Sequence, residues 1–346
     1  MKLKIEHVHL SFFGHEECLH DINLSFGEGT TVLYGERGSG KTALLKCIAR
    51  INDYAGDIEL DGNPLKTGKE GDVCMVFDDL ALFKRRSLYY NLTYPLRIRK
   101  VPKQEWPDLL APLLKRWGLE KVILDNPAYR APADIQVRLA LARAGLMPRK
   151  VLLLDNPLGK LRPDDRRAVW GDMSKFIRNY PGVVIYATDD IDEVRSLDCP
   201  VAVLSGGYLV ANDKPDTLAS TLPSVYVATR LVPYWKAIEG VADKGIVHTE
   251  EEDLVANYPP TYEGKRVLVG IAPSAYRVTK GGDRTVCNAV YMGGRTYSVL
   301  ERGDESIVVE GKWNIGEAVS AAIEGVVPVY DIKSEWRIDG FKGEEK

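Results

Sequence analysis

Hydrophobic and polar residues follow two different periods along the chain. Up to residue 63, apolar and polar positions alternate between turn residues, as at residues 3–8 and 57–62. This alternation predicts half-exposed β-strands. Continuous apolar runs, which are typical of parallel strands buried on both faces, occupy residues 30–34, 73–77, 151–155, 183–188 and 201–204.

Between residues 85 and 147 the apolar spacing changes to three and four residues, which predicts helices. A second helical pattern within this stretch covers residues 134–146. Because strands alternate with helices, the first part of the chain predicts an α/β core built on a parallel sheet, with a helical subdomain at about residues 85–147. The first helical stripe consists of Leu109, Leu110, Leu113, Leu114 and Trp117.

The pattern changes again beyond about residue 225. Short apolar runs at residues 267–271 and 306–310 are separated by glycine-rich stretches, and residues 281–283 and 293–295 predict turns. Many short strands with turn residues between them are typical of a small all-β barrel or sandwich. We therefore expect two domains, at residues 1–225 and 226–346.

Composition excludes several classes of protein. A net charge of −3 argues against general nucleic-acid binding, which usually needs a basic footprint. The five cysteines are scattered and form no C-x-x-C pair, so we expect buried thiols and no zinc or disulfide framework. The amino terminus lacks the apolar core of a signal peptide, and no run of 18 apolar residues occurs. Any membrane role is therefore expected to come through a partner.

A phosphate-binding loop is the strongest chemical feature of the chain. Residues 35–42 match G-x-x-x-x-G-K-[ST], and the loop follows an apolar strand and opens a helix, as the motif requires. Glycines let backbone N–H groups approach phosphate oxygens closely. Lys41 is expected to reach the β- and γ-phosphates, and Thr42 is expected to hold Mg²⁺.

The chain resembles the ATPase subunits of ABC importers, in particular those of the maltose and glycerol-phosphate type. The resemblance rests on the phosphate loop, on Leu154 and Asp155, on residues 138–144 and on residues 267–273. It implies an ABC-type P-loop NTPase core followed by an OB-like (TOBE-type) barrel. It also implies that the chain binds ATP and Mg²⁺ on the cytoplasmic side of the membrane. The implied partners are permease subunits and, indirectly, a solute-binding protein.

The resemblance assigns roles to individual residues. Phe13 is expected to stack on adenine, with Phe12 as a neighbouring alternative. Asp155 is expected to anchor Mg²⁺ together with Thr42. Residues 82–83 and Asn91 are expected to face the permease. The phosphate-binding set consists of Gly35, Gly38, Ser39, Gly40, Lys41 and Thr42.

Departures from the family pattern gather at the positions that the family uses for hydrolysis. Asp78 replaces a glutamine, Asn156 replaces the catalytic glutamate, and Asp189 replaces the switch histidine. Arg162 replaces an aspartate in the loop after Asn156. The family's signature, L-S-G-G-Q, becomes Ala131, Pro132, Ala133, Asp134 and Ile135.

These replacements predict that the chain binds ATP but hydrolyses it poorly alone. Asn156 cannot take a proton from water. A carboxylate at Asp189 would repel the γ-phosphate by roughly 3 kcal/mol at ~5 Å and an effective dielectric near ~20. Pro132 lacks the N–H that the family's signature presents to the phosphate. We therefore expect the chain to be the degenerate half of a heterodimer with an intact homologue. The alternatives are a conventional homodimeric transport ATPase and a soluble ATP-responsive regulator.

Overall fold

The computed structural model describes residues 1–11, 17–68, 70–292 and 294–339. The chain divides into two compact units, Met1–Asn212 and Asp213–Lys346. Among the described residues, no helix is both long and apolar enough to cross a membrane.

The first unit contains two sheets. An antiparallel sheet has the order β2-β1-β4-β5. A six-stranded sheet has the order β10-β9-β3-β8-β7-β6, in which β9, β3, β8, β7 and β6 are parallel. Its strands are β1 (Lys2–Ser11), β2 (Glu17–Gly27), β3 (Gly29–Tyr34), β4 (Ala55–Leu60), β5 (Asn63–Pro64), β6 (Val73–Val76), β7 (Val151–Asp155), β8 (Val183–Thr188), β9 (Val201–Ser205) and β10 (Tyr208–Asp213). Its helices are α1 (Lys41–Ile48), α2 (Leu88–Ile98), α3 (Trp106–Arg116), α4 (Ala133–Leu146), α5 (Pro163–Arg178) and α6 (Ile191–Leu197).

Helix α1 shares one apolar core with both sheets. Leu44 and Leu45 of α1 pack with Ile5 of the antiparallel sheet and with Leu33 and Ile185 of the parallel sheet. All five side chains are at most 1% exposed. This packing fixes the start of α1 at the carboxyl edge of the parallel strands, where the loops after β3, β6, β7 and β8 also meet.

The second unit combines two short helices with two antiparallel sheets. The helices are α7 (Pro215–Thr221) and α8 (Val225–Leu231). One sheet has the order β13-β12-β11-β14-β19 and the other has the order β17-β16-β15-β18. The strands are β11 (Lys236–Asp243), β12 (Ile246–Thr249), β13 (Asp253–Val255), β14 (Arg266–Ile271), β15 (Tyr276–Met292), β16 (Arg295–Arg302), β17 (Glu305–Glu310), β18 (Ala318–Ile323) and β19 (Val329–Asp331).

The boundary between the units lies at Asp213, whereas the sequence pattern suggested residue 225. The reason is that α7 and α8 share a core with the second unit. Leu222 and Ala228 pack with Trp235 and Tyr330. The hydroxyl of Tyr330 also donates a hydrogen bond to the Leu222 carbonyl at 3.1 Å.

Residues 281–283 do not form the expected turn between strands. They lie inside β15, where the pairing with β18 shifts register between Lys280 and Arg284. Gly282 adopts φ +159°, and a Cβ there would come within 2.5 Å of the Val319 carbonyl oxygen. Glycine therefore permits a bulge that passes close to the neighbouring strand. The turn expected at residues 293–295 falls partly outside the described residues, although Met292 pairs with Arg295 across it.

Candidate nucleotide site

The loop between β3 and α1 has the backbone of a phosphate cradle. Gly38 and Gly40 adopt φ of +87° and +101°, which favours glycine at both positions. A Cβ on Gly35 would lie 2.4 Å from the Leu204 carbonyl oxygen, and one on Gly40 would lie 2.9 Å from a Leu19 methyl carbon. The spacing of glycines in the motif therefore follows from close backbone approach.

Lys41 folds back over this loop. Its Nζ donates hydrogen bonds to the carbonyls of Gly35 at 2.7 Å and Glu36 at 2.8 Å, and to Ser39 Oγ at 3.3 Å. Burial lowers the pKa of Lys41, while the charges of Asp189 and Asp155 act to raise it. The ammonium is thus held at the centre of the loop, where a phosphate oxygen can replace the carbonyls as its acceptor.

Thr42 and Asp155, the two residues predicted to hold Mg²⁺, form a hydrogen bond. Thr42 Oγ1 donates to Asp155 Oδ1 at 2.9 Å. Asp155 is 2% exposed, and its second oxygen, Oδ2, is buried without a hydrogen-bond partner among the described residues. Burial raises the pKa of Asp155 and Asp78 adds to the rise, whereas the bond from Thr42 and the charge of Lys41 oppose it. A hydroxyl and a carboxylate with a free oxygen suit Mg²⁺, which prefers hard oxygen ligands.

One cavity of about 600 Å³ brings the loop together with Asp78, Asn156 and Asp189. The described residues that line it include neither Gly35 nor Ser39, and none of residues 131–135. Phe13 lies outside the described residues, and so does Phe12. The lining consists of Cys18, Arg37, Gly38, Gly40, Lys41, Thr42, Ala43, Lys46, Asn52, Asp78, Asp155, Asn156, Gly159, Lys160 and Asp189.

Asn156 and Asp189 form a hydrogen-bonded pair in this cavity. Asn156 Nδ2 donates to Asp189 Oδ1 at 3.1 Å, and the Asn156 backbone N–H donates to the Ala187 carbonyl at 2.9 Å. Asn156 adopts φ +42°, in the left-handed region that asparagine tolerates better than most residues. A Cβ on Gly159 would come within 2.6 Å of the Asn156 amide nitrogen. The amide is therefore confined between the loop after it and Asp189.

Lys160 is a site residue that sequence reasoning missed. Its Nζ contacts both Oδ2 and the carbonyl oxygen of Asp78 at 3.0 Å. Strands β6 and β7 are neighbours in the sheet, so the loops that follow them lie side by side. The only sign of this contact in the sequence was an acid after one strand and a lysine after the next strand of the sheet. The pair neutralises one of the carboxylates that face the cavity.

The residues interpreted from the sequence as a degenerate signature lie at the start of helix α4. Pro132 is the N-cap residue with φ −52° and ψ 152°, and Asp134 lies in the first helical turn. An acid there is stabilised by the positive end of the helix dipole. Gln136 Nε2 donates to the Ala131 carbonyl at 2.8 Å, and Arg138 pairs with Asp172 of α5 at 2.5 Å. The segment is therefore a well-formed helix start, although proline removes one backbone donor from it.

A second cavity, of about 280 Å³, lies further along the segment that follows Asp78. Its lining includes Phe83, Tyr94 and Arg143. Asn91 accepts a hydrogen bond from the Phe83 N–H at 2.7 Å and donates to the Phe83 carbonyl at 3.2 Å. Arg143 donates to the carbonyls of residues 80 and 81, at 2.7 and 3.0 Å. Asn91 and Arg143 thus hold the wall of this cavity in place.

Comparisons with known proteins agree with this geometry. Residues 19–159 match the family model described as ABC transporter. The chain is 28% identical over 309 residues to the Fe(3+) ions import ATP-binding protein FbpC of Photobacterium profundum, covering 86% of this chain and 87% of that protein. It is also 28% identical over 284 residues to the trehalose/maltose import ATP-binding protein MalK of Thermococcus litoralis, covering 75% of each.

A solved structure shares the fold. The cbiO1 protein of Clostridium perfringens, described as part of the ABC transporter complex cbiONQ, superimposes with a TM-score of 0.55 at 26% identity. The match covers 63% of this chain and 90% of that chain. The P-loop ATPase fold expected from the sequence is therefore confirmed, while an OB-like identity for the second unit stays a prediction.

Proposed function

We propose that the chain, whose residues 19–159 match the family model described as ABC transporter, is the ATP-binding subunit of an importer. The observation that carries this proposal is the meeting of Lys41, Thr42 and Asp155 in one cavity at the end of a parallel sheet. In this proposal the Lys41 ammonium group binds oxygens of the β- and γ-phosphates. The backbone N–H groups of Gly38 and Gly40, which line the cavity, surround the phosphate chain in the proposed complex. Gly35 and Ser39 shape the loop from outside that lining.

Thr42 and Asp155 are the residues that hold Mg²⁺ in this proposal. The unpartnered Asp155 Oδ2 supports that role, because it has no hydrogen-bond partner among the described residues. Bound Mg²⁺ neutralises charge on phosphate oxygens. Phe13 is the proposed adenine-stacking residue.

The proposed cargo is a carbohydrate-like solute such as a sugar, a polyol or a glycerol phosphate. The 28% identity to the trehalose/maltose import protein supports this class, and so do the two antiparallel sheets of the second unit, which we propose to be an OB-like regulatory domain. Ferric iron is the second candidate, favoured by the 28% identity over 309 residues to FbpC. A solute-binding protein would deliver either cargo to the permease.

The chemistry of the cavity supports ATP binding without efficient hydrolysis. A general base must accept a proton from the attacking water, and the Asn156 amide cannot. The Asp189 carboxylate accepts the Asn156 hydrogen bond and brings negative charge to the side of the cavity that the transferring phosphoryl group occupies in the proposed complex. Asp78, paired with Lys160, is the third replaced position.

A heterodimer with an intact homologue follows from this arrangement. In the family, each ATP lies between the phosphate loop of one subunit and the signature of the other. A homodimer of this chain would set Pro132 and Asp134 against a phosphate that already faces Asp189. An intact partner supplies a normal signature to one site and a catalytic glutamate and histidine to the other.

Docking on an integral-membrane permease is proposed for the cavity lined by Phe83. Phe83 is 41% exposed, and Asn91 fixes its backbone on both sides. The segment that starts at Asp78 joins this cavity to the nucleotide cavity. A conformational change at one cavity can therefore be transmitted through this segment to the other. The chain would then work on the cytoplasmic side of the membrane.

Titration of the isolated chain with a fluorescent ATP analogue tests the function. Mg-ATP should compete for the site, and Lys41→Ala should weaken binding by at least about a hundredfold, since a charge-assisted contact to phosphate is lost. Lys175→Ala, which removes an exposed lysine of α5, is the matched control and should bind as the wild type does. Absence of binding at millimolar Mg-ATP would refute the proposal.

A further inference from the structure

A strongly basic segment runs through helix α2 and its flanks. Residues 84–104 contain seven basic side chains and no acidic one, in a chain whose net charge is −3. Six of the seven are exposed, and Arg99 is half-buried. The seven are Lys84, Arg85, Arg86, Arg97, Arg99, Lys100 and Lys103.

Helix α2 turns these charges outward. Leu88, Leu92 and Leu96 lie on one face and are at most 1% exposed. On the other side, the guanidinium groups of Arg86 and Arg97 lie over the Tyr90 ring, 5.2 and 5.0 Å from its centroid. One aromatic ring thus holds two cations together on the outer face of the helix.

A neighbouring segment extends the charged surface. The backbone N–H of Ala128 donates to the Arg86 carbonyl at 2.9 Å, and that of Tyr129 donates to the Lys84 carbonyl at 3.1 Å. This pairing sets residues 126–130, which include Arg130 and no acid, beside residues 84–86. We call Lys84, Arg85, Arg86, Arg97, Lys100, Lys103 and Arg130 the basic face.

Among the residues that the structure describes, the basic face has no carboxylate partners. In the described ranges none of its seven residues forms an ion pair, although elsewhere in the same unit Lys160 pairs with Asp78 and Arg138 with Asp172. Large apolar side chains are exposed among these charges, since Ile98 is 39% exposed and Tyr129 54%. Basic residues around exposed aromatic and aliphatic groups are typical of surfaces that lie on a membrane interface.

We propose that the basic face binds the anionic headgroups of the membrane surface. The proposal rests on the proposed permease attachment, because docking at the cavity lined by Phe83 would hold the adjacent basic face close to the membrane. Cytoplasmic loops of membrane proteins carry an excess of lysine and arginine. Such loops would repel the basic face, whereas the negative surface potential of the cytoplasmic leaflet attracts it. Charge complementarity therefore favours lipid over a permease loop as the occupant.

Vesicle co-sedimentation of the full chain tests this inference. Wild type should bind vesicles of phosphatidylcholine with about 30 mol% phosphatidylglycerol and should not bind pure phosphatidylcholine. Raising the ionic strength from about 0.1 to about 1 M shortens the Debye length from ~10 to ~3 Å and should release the protein.

Charge reversal locates the surface. The triple variant Lys84→Glu, Arg85→Glu and Lys100→Glu should bind anionic vesicles at least about a hundredfold more weakly, since each basic residue near the surface contributes roughly fivefold. The control variant Lys175→Glu, Lys312→Glu and Lys333→Glu makes the same change in net charge at exposed lysines elsewhere. The control variant should lose much less affinity for anionic vesicles. The milder Arg86→Gln and Arg97→Gln pair should give an intermediate loss.

The outcomes separate this inference from the proposed function, because ATP-analogue binding is measured on the same samples. Retained ATP binding together with lost vesicle binding in the triple variant supports the basic face. Equal loss in the control variant, equal binding to neutral vesicles, or no vesicle binding by wild type that binds ATP would overturn it. A triple variant that binds vesicles normally but no longer co-purifies with the permease would assign the face to an acidic protein surface and would also overturn it.

Discussion

Asn156 Nδ2 donates a hydrogen bond to Asp189 Oδ1 across 3.1 Å, at the two positions that the family resemblance aligns with a glutamate and a histidine. The direction of this bond matters. A glutamate at the first position would accept from a histidine at the second, which leaves a carboxylate beside the attacking water. Here the amide donates and the carboxylate accepts, so the negative charge sits at the second position. The Asn156 amide cannot accept a proton, and a carboxylate at Asp189 cannot donate a hydrogen bond.

Removing the charge of Asp189 should therefore tighten ATP binding. We expect Asp189→Asn to bind Mg-ATP about three- to tenfold more tightly, because Asp189 is exposed and solvent screening reduces the full Coulomb term. Binding of ADP should change less, since ADP lacks the γ-phosphate. Asp192→Asn, at an exposed acid of α6 outside the cavity, is the matched control. Isothermal titration of both nucleotides measures the effect, and equal tightening by the control would contradict the assignment.

Turnover by the isolated chain should be negligible. Loss of a general base commonly lowers the rate by ~10²–10⁴-fold. Phosphate release from the purified chain should stay at the level of the Lys41→Ala variant, which serves as the blank. Turnover of about 1 s⁻¹ or faster that Lys41→Ala abolishes would contradict the claim that Asn156 and Asp189 prevent efficient hydrolysis.

The carboxyl group of Asp155 should make the nucleotide-free protein less stable as pH rises. Burial raises its pKa, so between its unfolded value near ~3.9 and its higher folded value the folded state binds more protons than the unfolded state. Stability attributable to this group is therefore greatest below that window and falls as pH rises through it.

Comparison with Asp155→Asn isolates this contribution. The amide keeps an oxygen for the Thr42 hydrogen bond and removes the buried charge, so the variant should melt higher than wild type at pH 7 and lose that advantage near pH 4. Thermal unfolding without nucleotide, at both pH values, measures the difference. The same variant should lose Mg²⁺-dependent ATP binding. A variant that melts lower than wild type at pH 7 would show that the charge of Asp155 stabilises the fold.

Particular residues show how far the sequence could be interpreted alone. The apolar runs predicted the parallel sheet, and the family resemblance assigned Lys41, Asp155, Asn156 and Asp189 to the nucleotide. The structure brings the four residues into one cavity because parallel strands end at the same edge of the sheet. The contact of Lys160 with Asp78 was missed because it depends on which strands are neighbours, and strand order is not written in local spacing.

Errors in the second unit have a similar cause. Residues 281–283 have the composition of a turn, and only the approach of β18 to Gly282 makes them a bulge in a long strand. The extent of the second unit depends on α7 and α8 packing with Trp235 and Tyr330, which are far apart in sequence. Tertiary contacts of this kind override local patterns.

The composition of the assembled transporter tests the account most directly. If the chain is the degenerate half of an importer ATPase, native mass spectrometry of the detergent-purified complex should find it with permease subunits and a second, different ATPase subunit. Mutation of the catalytic glutamate in that partner should stop transport, whereas Asn156→Ala should change it little. Two copies of this chain with the permease and no second ATPase would contradict the heterodimer, and purification without any permease would contradict the importer function.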